Sequence, residues 1–243
     1  MGRVILEGRN LALHEKNGRE HFTAWSFDLE IGQGGAIMEN RTQKALPWLL
    51  IVSSLARPTT GSIAWFGRGH GDLSSSDLLR LRRKIGWVPR KGRLISNMTV
   101  EENLILGHAY HHELSRRESR DEASRLAEGF GLTEVLEVRP VELSPEKQRM
   151  AVFVRELIKS PELFVLENPE ADFNPGDLVL VMNEVMARTE KLEAGFIVSI
   201  EPLSDLKQKV NWIFSLGEPD HLGPAVPDAL GTTTPTDGGE PAC

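Results

Sequence analysis

Residues 39–47 read ENRTQKALP and stand between an apolar, strand-like GAIM and an apolar, helix-like WLLIVSSLA. A strand, a nine-residue turn and a buried helix form the usual frame of a loop that wraps a nucleotide phosphate. Such a loop takes glycines, which tolerate unusual dihedrals and close approach, together with a lysine and a hydroxyl. This one holds Lys44 and Thr42 but no glycine. A second stretch with chemistry in it is FVLENPEADFNP, where Glu167 and Asn168 end an apolar run. An amide at position 168 cannot accept a proton as a general base. His108, His111 and His112 fall on a helical pattern, and the i, i+4 pair His108 and His112 has metal-ligand spacing. No acid or cysteine completes that set, so no metal site is expected. Cys243, the one cysteine, is the last residue, which excludes a disulfide framework or a cysteine metal site within one chain. It reads as an incidental exposed thiol, and no Ser-His-Asp arrangement is visible.

The elements that must position these residues alternate between short β-rich runs and longer helical patterns. Strands are expected at Val4–Leu13, Trp25–Ile31, Gly35–Met38, Ser62–Phe66, Ile85–Val88, Leu163–Leu166, Phe196–Ile200 and Trp212–Leu216. Several are continuously apolar, as strands of a buried parallel sheet are. Thr99 with Glu102, and Ser115 with Glu118, are capping boxes, the second leading to Gly131 as a stop. Residues 99–160 hold only helical patterns, so an all-helical insertion in an α/β core is expected. From Gly217 onward glycine, proline, threonine and acids dominate, and residues 217–243 read as a disordered tail.

Composition bounds the function. Hydrophobic residues make up 40% of 243, enough for a core, and the net charge is −7. With no long basic run, nucleic acid is not an expected partner. The arginines of LLRLRRK and SRRESRDEASR read as solvated helix faces. The chain opens on a strand-like VILEGRNLAL and not on a charged-then-apolar leader. Its longest apolar run, PWLLIVSSLA, is far short of the roughly 20 residues that cross a bilayer. A soluble, cytoplasmic protein is expected.

The stretch from 143 to 175, LSPEKQRMAVFVRELIKSPELFVLENPEADFNP, resembles the signature helix and Walker B strand of ABC-transporter ATPases. There LSGGQ opens a helix and an apolar strand ends in Asp-Glu-Pro. ARPTTGSI resembles the turn after that family's phosphate-loop helix, IGWVPR the strand ending at its Q-loop, and TVEENL the opening of its helical subdomain. The resemblance is co-linear over about residues 3–216. It implies a P-loop NTPase-like ABC ATPase fold with a mixed sheet core, N-terminal antiparallel strands and a helical subdomain at about 93–160, all within 1–216.

The resemblance also assigns positions. Counting back from Pro58, Ala45 takes the place of the Walker A lysine, Leu46 and Pro47 the Ser/Thr pair, and Glu39, Thr42 and Lys44 the glycines. Glu167 takes the Walker B aspartate, Asn168 the catalytic glutamate, Arg90 the Q-loop glutamine, Asn174 the D-loop aspartate and Ile200 the switch histidine. Within His14–Gly18, where the family carries an adenine-stacking aromatic, His14 is the one ring. Glu39 puts a negative charge near where phosphate would sit, and Arg41 and Lys44 read as solvated loop charges. In the family the signature serves the partner's nucleotide across a head-to-tail dimer. Here SPEK replaces SGGQ, and Ser-Pro-Glu is a self-contained helix start in which Glu146 competes with phosphate for the helix end. Ser144 and Gln148 remain as candidate contacts to a partner's nucleotide.

The resemblance therefore implies a degenerate, non-hydrolysing ABC-type subunit that docks on a permease at the inner face of the membrane and pairs with another ATPase subunit. ATP and Mg²⁺, the family's cofactors, are not expected to be used. KGRLISNMTVEENL also resembles the ATPases of Mce/Mla-type lipid transport, which implies lipid cargo and a docking surface at Leu94, Ile95, Met98 and Val100, with ordinary core packing the equal alternative for each of the four. Two alternatives stand beside this: a slow, unconventional ATPase using Lys44, Glu167 and a water held by Asn168, and a free regulatory binding module on the same fold.

Overall fold

The computed structural model describes residues 2–13, 25–91, 94–111, 115–191, 194–216 and 222–224. In chain order they form β1 (Val4–Ala12), β2 (Trp25–Glu30), β3 (Gly34–Met38), α1 (Leu46–Val52), β4 (Thr60–Trp65), β5 (Arg68–Gly69), α2 (Ser75–Arg83) and β6 (Ile85–Val88). There follow α3 (Val100–His111), α4 (Arg116–Gly129), α5 (Pro145–Ile158), β7 (Leu163–Leu166), α6 (Pro169–Asp172), α7 (Pro175–Lys191), β8 (Gly195–Ile200), β9 (Trp212–Ser215) and β10 (Leu222–Pro224).

Two sheets result. The antiparallel one has the order β2-β1-β4-β5, and the second, among the described residues, the order β10-β9-β3-β8-β7-β6. Its five strands from β9 to β6 are parallel, and β10 is antiparallel to β9, which makes the sheet mixed. The expected α/β fold with N-terminal antiparallel strands is the one observed. β7 has side chains buried on both faces, which explains its unbroken apolar LFVL.

Its alternation divides the core. Leu163 and Val165 pack with α1 and the antiparallel sheet, and Phe164 and Leu166 pack with the helical layer of α3, α4, α5 and α7. In the first cluster Trp25 is stacked between Phe27 at 4.0 Å and Phe214 at 4.2 Å, tying the two sheets together. Each such pair adds about 1 kcal/mol beyond burial. Both expected capping boxes form: Glu102 and Glu118 accept the N–H groups of Thr99 and Ser115 at 2.9 and 2.8 Å. Gly131, beyond the end of α4, has φ +64°. Gly61 must be glycine, because its φ is +81° and a Cβ would lie 2.2 Å from the Asn10 carbonyl oxygen.

The structure corrects one expectation. Composition makes 217–243 a structureless tail, yet Leu222–Pro224 pairs with β9 in the register Leu222↔Phe214 and Pro224↔Trp212. The open edge of β9 supplies the hydrogen-bond partners that composition cannot reveal. The rest of that segment, with Cys243, lies outside the described residues.

Candidate functional site

The residues singled out at 39–46, 90, 167–168 and 200 come together at the carboxyl ends of β3, β6, β7 and β8, the side of an open parallel sheet where ligands bind. Backbone and side-chain bonds join the four ends. The Glu39 N–H donates to the Ile200 carbonyl at 2.8 Å, and the Asn168 N–H donates to Ser199 Oγ at 2.8 Å. Glu167 Oε2 accepts the Arg90 N–H at 2.8 Å.

The loop after β3 is folded on its own side chains. Glu39 is buried, and its Oε1 accepts the Ala45 N–H at 3.1 Å while Oε2 stands 3.3 Å from Lys44 Nζ. Asn40 Oδ1 accepts the N–H groups of Thr42 and Gln43 at 2.9 and 2.7 Å and the Thr42 hydroxyl at 3.0 Å. Asn40 Nδ2 ties the loop to the Leu216 carbonyl at 2.6 Å. Three amides of this loop, those of Thr42, Gln43 and Ala45, are thus held by two of its own side chains. Lys44 is a partner of Glu39, where the sequence suggested a solvated charge; Arg41 is exposed. Ala45 is fully buried, and Leu46, 37% exposed, opens α1 with Pro47 beside it.

At the end of β7, Asn168 is buried with φ 38° and ψ 66°, a left-handed conformation that asparagine tolerates. Its Nδ2 donates to Glu201 Oε1 at 3.4 Å. Ile200 is fully buried and presents only carbon. Asn174 Oδ1 accepts the Asp177 N–H at 2.9 Å and so caps α7.

Sequence reasoning missed Arg149. Its side chain is buried, donating to the carbonyl oxygens of Glu167 and Asn168, and Nη1 lies 2.6 Å from Asp172 Oδ2. The guanidinium also covers the Phe173 ring at 4.8 Å. Burial draws its pKa down to about 10, against the pull of the Asp172 and Glu167 carboxylates. The available signal was an arginine beside the buried run Met150–Val154, where an unpaired charge is not tolerated.

Ser144 and Gln148 lie apart from this group, at the start of α5. Ser144 Oγ accepts the Lys147 N–H at 3.3 Å, and Gln148 Nε2 donates to the Pro140 and Leu143 carbonyls at 2.9 and 3.1 Å. The Ser144 hydroxyl holds the exposed Glu146 carboxyl below its ordinary pKa. Of the expected docking set, Val100 is fully buried and Leu94 packs against the core, so they form no surface; Ile95, 41% exposed, does. The side chains of His108, His111 and His112, and the ring of His14, lie outside the described residues. Among the described residues no group of three or more His, Cys, Asp or Glu is placed to hold a metal, and no helix is long and apolar enough to cross a membrane.

A sequence family described as "ABC transporter" matches residues 48–171, a span that begins just past the 39–47 loop. The phosphonates import ATP-binding protein PhnC of Treponema denticola is 25% identical over 93% of this chain and 91% of its own length. The lipoprotein-releasing system ATP-binding protein LolD of Buchnera aphidicola is 24% identical over 82% of this chain and 89% of its own. Among solved structures, MJ0796, a dimeric bacterial ABC transporter cassette, superimposes with a TM-score of 0.80 at 20% identity, over 87% of this chain and 94% of that one. The cbiO1 subunit of Clostridium perfringens, part of the cbiONQ transporter complex, gives 0.74 at 18%, over 88% and 85%.

Proposed function

The chain belongs to the ABC transporter family, and on that premise we propose that it is a non-hydrolysing ATPase-like subunit that docks on a membrane permease and pairs with another ATPase subunit. One observation carries the reading: the Glu39 carboxylate sits on the Ala45 N–H and against Lys44, where an anion would have to sit. A triphosphate would have to displace a buried like charge and break the Asn40 turn, and no lysine at position 45 would repay it. Leu46 offers no hydroxyl to Mg²⁺, Asn168 no base and Ile200 no hydrogen bond to a phosphate. The residues present do not fit ATP and Mg²⁺, and no hydrolytic step runs through them.

Attachment to the membrane through the permease follows from the same reading. The lipid-cargo reading rests on the KGRLISNMTVEENL stretch alone, since the relatives compared carry phosphonate-import and lipoprotein-release names. Calorimetric titration of the purified chain with Mg-ATP, together with phosphate release, tests the proposal. No binding at millimolar nucleotide and no turnover above the blank are expected. Micromolar binding with turnover that vanishes in Glu167→Ala would establish the slow-ATPase alternative instead. Co-purification from membranes with a permease separates the transporter subunit from a free module.

A further inference from the structure

The run LLRLRRK on α2 and the turn after α1 make one basic surface in an acidic chain. Residues 54–84 hold Arg57, Arg68, Arg80, Arg82, Arg83 and Lys84 against Asp72 and Asp77, a balance of +4 (6 − 2). The whole chain carries −7, which leaves −11 for the remainder (−7 − 4). The fold gathers these cations. Arg82 donates from Nε and Nη2 to the Ser54 carbonyl, at 3.3 and 2.8 Å, and so lays α2 against the end of α1. Arg68 and Arg80 share Asp77 Oδ1, at 3.2 and 3.5 Å. Burial, and then the fields of Arg57 and Arg82, hold the His70 imidazole below its ordinary pKa, which places both guanidinium groups near one ring. Even with Lys84 matched by Glu162 at 2.7 Å, the surface keeps a positive excess.

Two leucines share this surface. Leu55, next to Ser54, is 46% exposed, and Leu79, 57% exposed, lies one turn ahead of Arg82 and Arg83 on α2. Exposed leucines among arginines suit a lipid interface, where cations take the phosphates and aliphatic carbon enters the acyl boundary. A nucleic-acid strand would use the charges and leave the leucines in water. We infer that the surface formed by α2 and the turn after α1 binds the anionic headgroups of a phospholipid bilayer directly, without nucleotide and without the permease. This is a second attachment beyond the permease, and it does not involve the chemistry of the 39–47 loop. A patch of this size binds weakly and reversibly, so it orients the subunit on the membrane more than it anchors it.

Co-sedimentation of the full chain with vesicles tests this, without nucleotide and at low and high salt. Binding is expected to vesicles of phosphatidylglycerol and phosphatidylcholine in equal parts, weakening as salt is added, with none to phosphatidylcholine alone. Arg57→Glu/Arg80→Glu should weaken it roughly thirtyfold or more, counting about fivefold for each arginine. Leu55→Ser/Leu79→Ser should weaken it about fivefold to tenfold. Arg116→Glu/Arg117→Glu, at the exposed start of α4, changes net charge by the same amount and should bind as wild type does. A polarity-sensitive dye on Leu79→Cys, in a Cys243→Ser chain, reads the contact without any charge variant. Its emission should shift to the blue on the mixed vesicles, while the same dye on Arg117→Cys should not respond. No binding to the mixed vesicles, an equal loss in the α4 variant, or a silent dye at position 79 overturns the inference. So does equal affinity for polyglutamate that the leucine variant leaves unchanged, which would mark a surface for acidic protein. None of these outcomes alters the non-hydrolysing reading, which nucleotide titration decides.

Discussion

Arg149 Nη1 lies 2.6 Å from Asp172 Oδ2, and Arg90 Nε reaches the same oxygen at 3.5 Å, so one carboxylate joins the start of α5 to the end of β6 beneath the β7 turn. Removing Asp172 leaves the buried Arg149 without its nearest counter-charge, and removing Arg149 leaves the half-buried Asp172 only the longer contact to Arg90. Arg149→Met should therefore lower stability by about 3 kcal/mol, since two carbonyls and Asp172 lose a donor together. A double-mutant cycle with Asp172→Asn, followed by urea unfolding, should give a coupling of about 2 kcal/mol. Additive single effects would show that the pair does not act as a unit.

Asn168→Glu places the family's carboxylate at this position but is expected to restore no ATP turnover. The new acid would face Glu201, whose Oε1 now accepts from Asn168 Nδ2 at 3.4 Å. Two close carboxylates, one at a buried position and one exposed, repel at a cost on the order of 1 kcal/mol. The melting temperature should fall at neutral pH and recover as the medium is acidified toward the carboxylate range, because the repulsion raises one pKa and that group takes up a proton early. A variant as stable as wild type at pH 7 would rule out the repulsion.

Asn103 is fully buried and organises the turn before α3. Its Oδ1 accepts the Ile95 N–H at 2.7 Å, and its Nδ2 donates to the Ile95 and Thr99 carbonyls at 3.1 and 2.9 Å. Asn103→Leu removes all three and strands buried backbone groups, at a cost of about 2–3 kcal/mol. Amide exchange should quicken at residues 94–99 first. Uniform loss of protection across the chain would instead point to general instability.

Asp77 closes the capping box of α2 and pairs with Arg68 at 3.2 Å. Its bonds to Arg68 and Ser74 hold its carboxyl well below the ordinary range. A depressed folded pKa stabilises the fold above the unfolded value near 3.9, and that contribution is lost as pH falls through the folded pKa. The gap in urea midpoint between wild type and Asp77→Asn should be present at pH 7 and shrink steadily below about pH 4. A constant gap across that range would show that the charge is not its source.

Much of the fold was legible because its signals are local. The strand Leu163–Leu166 announced itself by an unbroken apolar run, and Ser115 with Glu118 by their spacing; both stand where expected. The charge of Glu39 was legible, but not its return to the Ala45 amide six residues on, because an irregular loop has no period to betray its closure. Arg149 acts on partners 18 to 23 residues away, across a helix and a strand, and such pairs leave no mark in a single sequence. Val100 could be read as docking surface or as core, because aliphatic side chains near a helix start serve a core or a partner equally well; the helical layer holds it. β10 was hidden for a similar reason, since a short strand in a Gly/Pro-rich segment is specified by its neighbour and not by its own composition.

That neighbour gains something in return. Without Leu222–Pro224, β9 would end the larger sheet with a row of bare amides and carbonyls, a template for stray chains to extend. With them in place the outermost strand is only three residues long and finishes in a proline, which has no N–H to offer an incoming strand. A chain shortened before Leu222 should accordingly keep its melting behaviour in dilute solution and lose its tolerance of concentration, clumping by strand addition.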